Sequence, residues 1–259
     1  MRSSLLALLL LACGSPSQTA AQSSPTTSGA VIDFSSDFSV SESGDIAPGG
    51  TLTFRYDLDR LGKCRTTEYG QPAWAVLAYV SFDGAAPATL ELAPENGQTS
   101  GVVETTIPVP AAKDVAFWFY ASDDGGCVQW DSRYGANFHF AVKPAQVPVV
   151  HFGSDWQTSV SGAVGPGTVL VDYDLARAQC RGVQYGVDAY SVTMYASIDG
   201  DAPVSQDMTT LVDGHRFATP RYVSLPQGDH TLSIWFENSD VFGCHAWDSN
   251  YGQNWAFSY

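Results

Sequence analysis

The stretch Cys127-Val128-Gln129-Trp130-Asp131-Ser132-Arg133-Tyr134-Gly135-Ala136-Asn137 is written a second time, as Cys244-His245-Ala246-Trp247-Asp248-Ser249-Asn250-Tyr251-Gly252-Gln253-Asn254. Working outward, the agreement continues. Trp118-Phe119 returns as Trp235-Phe236, Ser81-x-Asp83-Gly84 as Ser197-x-Asp199-Gly200, and Cys64-Arg65 as Cys180-Arg181. Nearer the start, Gly50-Thr51, Tyr56-Asp57 and Arg60 return as Gly167-Thr168, Tyr173-Asp174 and Arg177, and Ile32-x-Phe34-x-x-Asp37-Phe38 as Val150-x-Phe152-x-x-Asp155-Trp156. Equivalent residues at a nearly fixed offset mark an internal duplication rather than one large domain. The copies run over residues 31–143 and 149–259, and residues 144–148, with a proline at each end, form the linker.

Each copy has the size of a sandwich of about seven strands. Leu52, Phe54 and Tyr56 alternate with Thr51, Thr53 and Arg55, and Phe138, Phe140 and Val142 alternate with small or polar residues. Period two describes strands with one buried face. Similar runs at 74–82, 102–109 and 115–121 are separated by turn chemistry such as Asp83-Gly84 and Pro94-Glu95-Asn96-Gly97, and no helical period competes. The expected fold is all-β: two tandem immunoglobulin-like antiparallel β-sandwiches, each with one disulfide.

Met1-Arg2 and the apolar run from Leu5 to Ala12 are too short for a bilayer-spanning helix and read as an export signal, residues 1–12. Leu10-Leu11-Ala12-Cys13-Gly14 resembles the lipobox of bacterial lipoproteins, which implies cleavage before Cys13 and lipidation of that cysteine. The alternative is an ordinary secretory cut near Thr19-Ala20-Ala21. Residues 13–30 are mostly Ser, Thr, Gln, Ala, Pro and Gly and read as a flexible tether. The expected location is the bacterial cell envelope, on the outer membrane or cell surface, with contact to the membrane through the N-terminal lipid alone. With Cys13 set aside, four cysteines allow three pairings. Duplication and an oxidising compartment favour Cys64 with Cys127 and Cys180 with Cys244. The 12 Lys and Arg against 27 Asp and Glu give a net charge of −15, which argues against nucleic acid as a partner.

The duplicated core Trp-Asp-Ser-x-Tyr-Gly-x-Asn resembles the Trp-Asp-Asn-Asn-x-Gly-x-Asn-Tyr stretch of starch- and glycogen-binding modules, departing at Ser132 and Ser249 and at the tyrosine before glycine. The whole repeat is similar to an uncharacterised family of exported bacterial β-domains with the same Tyr-Asp, Cys-Arg and Cys-x-x-Trp-Asp landmarks. A sugar site needs a flat ring for the apolar face of a pyranose, and amides, carboxylates or Arg for its hydroxyls. Arg65, Tyr69, Trp130, Asp131, Tyr134 and Asn137 supply that set in copy one. Arg181, Tyr185, Trp247, Asp248, Tyr251 and Asn254 supply it in copy two. The competing reading is structural: Trp over the disulfide, Asp and Asn on turn backbone, Gly135 supplying positive φ. A second candidate is the outer sheet face, where Tyr79 and Trp118, and Tyr195 and Trp235, have the parity opposite to the core.

The five histidines are not repeated between copies, and nothing has the spacing of a catalytic triad or a zinc site. Asp57 and Asp174 are expected to bond loop backbone or pair with Arg60 and Arg177. Calcium through Asp123, Asp124 and Asp131 is disfavoured because Val241 replaces Asp124 in copy two. The expectation is a non-catalytic glycan-binding or adhesion lipoprotein, its partner a polysaccharide or surface glycan, without catalytic residues, cofactor or metal. The alternatives are a structural or protein-interaction envelope lipoprotein and, last, a polysaccharide hydrolase.

Overall fold

The computed structural model describes residues 29–94 and 98–259; Cys13, nearly all of the tether and residues 95–97 of the expected Asn-Gly turn lie outside the described residues. Copy one contains β1 (Ala30–Phe34), β2 (Val40–Ser43), β3 (Thr51–Asp57), β4 (Thr67–Glu68), β5 (Gln71–Pro72), β6 (Trp74–Phe82), β7 (Ala88–Ala93), β8 (Val102–Pro108), β9 (Asp114–Asp123), β10 (Val128–Asp131) and β11 (Phe138–Ala141). Copy two contains β12 (Val149–Phe152), β13 (Thr158–Ser161), β14 (Gly167–Tyr173), β15 (Val183–Gln184), β16 (Val187–Asp188), β17 (Tyr190–Ile198), β18 (Val204–Asp207), β19 (Thr209–Val212), β20 (His215–Ala218), β21 (Arg221–Leu225), β22 (Thr231–Asp240), β23 (His245–Asp248) and β24 (Trp255–Ser258). The chain is all-β, with short 3₁₀ turns at Leu58–Leu61, Arg133–Gly135 and Leu175–Arg177.

In copy one a sheet of order β2-β1-β3-β8 faces a sheet of order β10-β9-β6-β7, with β11 continuing beyond β10 along β9. Copy two repeats this as β13-β12-β14-β21 against β18-β17-β22-β23, with β24 on β22. The two sandwiches are as expected, but they are not wholly antiparallel. β1 runs parallel to β3, Ile32 opposite Phe54, and β12 runs parallel to β14, Val150 opposite Val171. The tight β1–β2 hairpin places β2 on the outer edge, so the chain re-enters on the other side of β1 in the same direction.

Alternation delivers one face of each strand to the core. Phe34, Phe54 and Tyr56 meet Phe117 and Phe119 across copy one, with Tyr56 and Phe119 stacked at 3.9 Å and Phe34 edge-on to Phe119 at 4.8 Å. Phe152, Tyr173 and Phe236 do the same in copy two. Each buried ring contributes roughly 1.5–3 kcal/mol. The disulfides Cys64–Cys127 and Cys180–Cys244 then tie the loop after the third strand to the loop between β9 and β10, or between β22 and β23. Closing a loop of sequence separation 63 contributes about 4 kcal/mol by chain entropy.

The copies also touch each other. Between β18 and β21, copy two builds the β19–β20 hairpin, turning at Asp213-Gly214. That hairpin reaches back to β7 and β8 of copy one. Phe217 is buried in the copy-one core, Val212 packs against it, and the Asp213 carboxylate accepts from the Glu91 amide. Elsewhere Tyr222 Oη donates to the Pro48 carbonyl at 3.3 Å. Gly49, at φ 76°, faces that ring so closely that a Cβ would lie 2.9 Å from Tyr222 Oη. A side chain there would have to displace the Tyr222 and Leu170 side chains of copy two.

Candidate functional site

Trp130 and Asp131 are adjacent in β10 and therefore face opposite ways. Asp131 points inward and is buried: its Oδ2 accepts from Arg60 Nε at 2.6 Å and from Tyr56 Oη at 3.1 Å. Arg60, itself buried, donates from Nη1 to the carbonyls of Ser35 and Ser39 and lies 5.0 Å from the Phe38 ring. Burial and the neighbouring Asp131 carboxylate push the Tyr56 hydroxyl far above its usual pKa. Copy two repeats the arrangement with Arg177, Asp248, Tyr173 and Trp156. Asp131 and Asp248, expected among the ligand-binding residues, are thus spent on internal ion pairs. Asp57 and Asp174, expected to bond loop backbone or pair with those arginines, do the former: they cap the 3₁₀ turns by accepting from the Asp59 and Ala176 amides.

The loop after Asp131 is a left-handed turn. Arg133, Tyr134, Gly135 and Asn137 have φ of 49°, 61°, 88° and 57°, and Asn250, Tyr251, Gly252 and Asn254 have 48°, 57°, 85° and 58°. Ser132 and Ser249 cap it through Oγ, accepting from the Gly135 and Gly252 amides. The Asn137 and Asn254 amides close it on the Ser132 and Ser249 carbonyls. Gly135 and Asn137 therefore serve the turn. Each non-glycine residue held left-handed costs about 1–2 kcal/mol, yet the Tyr134 and Tyr251 rings are fully exposed and recover none of it by burial. Tyr69 and Tyr185 stand out in the same way from the Tyr-Gly turns of the β4–β5 and β15–β16 hairpins.

Trp130 faces outward, where it meets the second candidate. Along the outer face of the larger sheet, Tyr79 lies parallel to Trp118 (5.4 Å between ring centroids, 4° between planes) and 6.3 Å from Trp130. Tyr120 adds a fourth ring, 4.5 Å from Trp130. In copy two Tyr195 lies parallel to Trp235 at 5.7 Å and 5.9 Å from Trp247. Trp130 is 55 % exposed and Trp247 50 %, so neither is covered by the sister copy or by its disulfide. The loop candidate and the sheet candidate share these tryptophans and form one surface per copy. Sequence reasoning missed Tyr120 and, in copy two, Glu237, which accepts from Tyr195 Oη at 2.6 Å. Both stand two residues beyond Trp118 or Trp235, so strand parity was the signal that places them.

Other expected residues lie elsewhere. Arg65 stacks 3.9 Å over Trp74 and donates to the Leu58 and Cys64 carbonyls, bracing the disulfide loop, and burial lowers its pKa. Arg181 is exposed and no such stack is formed there. Asp123 sits against the Cys64–Cys127 sulfurs, but these are spent in the bridge and its Oδ1 accepts from the Cys127 amide. Between the copies lies a cleft of about 500 Å³ lined by Phe82, Pro110, Ala111, His151, Asp172 and Arg216. Buried Asp172 joins its two walls: Oδ2 is 2.6 Å from His151 Nδ1 and Oδ1 accepts from the Ala111 amide of copy one.

Fold and surface together define a tandem β-sandwich protein that presents a duplicated aromatic sheet face. The chain belongs to DUF6209, a family of unknown function, which matches residues 27–259 and so spans both copies. No curated protein matches the chain significantly.

Proposed function

We propose that this protein is a non-catalytic glycan-binding or adhesion module whose binding surface is the outer face of the larger sheet in each copy. The observation that carries the reading is the aromatic row Trp118–Tyr79–Trp130, repeated as Trp235–Tyr195–Trp247, in which Trp130 and Trp247 are half exposed and the other rings partly buried. Neighbouring rings on a rigid sheet, two with parallel planes and the third inclined by 28° in copy one and 40° in copy two, offer apolar surface to the C–H faces of pyranose units. Contiguous exposed apolar surface of this kind marks interaction sites on soluble domains. The exposed Tyr134 and Tyr251 turns adjoin the strands that carry Trp130 and Trp247 and extend the surface. Export and attachment through Cys13 would hold both faces near the membrane on a short tether, and Cys13→Ser would then move the protein to the soluble fraction.

Affinity electrophoresis against a panel of polysaccharides tests the reading. Retardation on one polysaccharide, lost in the folded Trp130→Ala/Trp247→Ala variant, supports it; no retardation of the wild type on any glycan sinks it. A protein partner is the second reading, favoured by Leu77, Tyr120 and Val128 beside the three rings of the copy-one face. Turnover of a polysaccharide would instead point to a hydrolase.

A further inference from the structure

The two aromatic faces differ at three neighbouring positions. Around Tyr79, Trp118 and Trp130 copy one has Leu77, Tyr120 and Val128; around Tyr195, Trp235 and Trp247 the equivalent ladder positions of copy two carry Thr193, Glu237 and His245. Glu237 is the direct cross-strand partner of Trp247 and stands two residues from Trp235 on the same strand face, so its carboxylate lies among the three rings. Its oxygens are held at both ends: Oε2 accepts from Tyr195 Oη at 2.6 Å, and Oε1 lies 2.8 Å from His245 Nε2. The bond from Tyr195, then that from His245, keep Glu237 below the usual carboxylate range, and the same bond raises the Tyr195 hydroxyl. The Glu237 side chain is still 27 % exposed, which leaves it within reach of a ligand lying on the rings.

An ionised carboxylate set among aromatic faces attracts a cation through both the ion pair and the rings. The net charge of −15 adds a long-range pull in the same direction. Copy one has no charge at these three positions; its Glu91 stands farther out, opposite Leu77 on the edge strand β7. Resting on the glycan reading above, we propose that the copy-two face selects a glycan carrying free amines, a polymer of protonated hexosamine, while the copy-one face takes uncharged pyranoses. The ring would stack on Trp247 or Trp235 with its equatorial ammonium against Glu237. Acetylation removes that charge, so the acetylated sugar would lose the advantage.

The test uses the full chain at about pH 6, where the hexosamine amine carries its proton, with Trp130→Ala silencing copy one and near-UV circular dichroism confirming the fold. A glucosamine oligosaccharide, its N-acetylated counterpart and a glucose oligosaccharide of equal length are titrated by calorimetry. The amine form should bind about 10-fold more tightly than the other two. Adding Glu237→Gln should erase that preference, bringing the affinity for the amine form to that for the neutral oligosaccharides. Equal affinity for the free and acetylated forms, or a preference that survives Glu237→Gln, overturns the proposal and leaves the glycan reading standing. Failure of the wild type to bind any of the three, together with failure on the polysaccharide panel, overturns both.

Discussion

Trp130 and Asp131 recur together in both copies, and the repeat alone does not divide their roles. A strand does: once β10 is known to pair with β9 through Trp130 opposite Tyr120 and Asp131 opposite Phe119, one side chain must face solvent and the other the core. The sequence displayed the pair but not its parity, because β10 is only four residues long and the left-handed turn interrupts it before β11. Asp131→Ala leaves the Arg60 guanidinium buried without its carboxylate, and such a change costs about 3–5 kcal/mol. Urea unfolding should show that loss, and a change below about 1 kcal/mol would mean that the Ser35 and Ser39 carbonyls satisfy Arg60 by themselves. His151 gives a pH signature. Its hydrogen bond to Asp172 raises its pKa above the ordinary 6.5, against the opposing effect of burial. A pKa raised by folding adds stability that is complete below the unfolded value and is lost as pH rises through the folded value. The urea midpoint of wild type should therefore exceed that of His151→Gln by more at about pH 5.5 than at about pH 8.5; a gap independent of pH would show that the His151–Asp172 contact does not depend on the imidazolium.

At the scale of elements, alternation predicted the strands and duplication the disulfide pairing, but neither could reveal which copy a strand leans on. Phe217 reads locally as one apolar residue in His215-Arg216-Phe217-Ala218, and its partners lie more than a hundred residues back in β7 and β8. Nor does the alternation signal direction, so the parallel β1–β3 and β12–β14 ladders passed as antiparallel. The β19–β20 hairpin links the two sandwiches: it buries Phe217 in copy one and lines the Asp172 cleft with Arg216 and Ala218. Phe217→Ala removes a buried ring, a change that costs about 3–5 kcal/mol, and the loss should fall on copy one although the residue belongs to copy two. Calorimetry should resolve two unfolding transitions in the variant, with limited proteolysis cutting first near residues 144–148. A single transition at the wild-type temperature would mean that the copies are held together chiefly through the Pro48–Tyr222 and Ala111–Asp172 contacts.

For the whole molecule, duplication matters because a flat aromatic face offers little enclosure and binds weakly alone. On the proposed glycan reading, two faces joined by the β19–β20 hairpin and the short linker would convert the second contact with a polymer into an intramolecular event, a gain that reaches about 10²–10⁴-fold where both faces can engage the same chain. That gain separates a bivalent reader from two unrelated patches. On an immobilised polysaccharide, Trp130→Ala and Trp247→Ala should each lower apparent affinity by about 10²-fold or more, because either one destroys the second contact. Against a short oligosaccharide, too small to bridge the faces, each single variant should keep the intrinsic affinity of its remaining face and merely lose one site in the stoichiometry. Surface plasmon resonance on the polymer and calorimetry on the oligosaccharide measure the two quantities. If each substitution lowered polymer binding only in proportion to the site it removes, the faces would be acting on separate chains. Cross-bridging of neighbouring polymers, which is what an adhesion protein needs, would then be the better account of why the aromatic row was kept in both copies while the residues around it diverged.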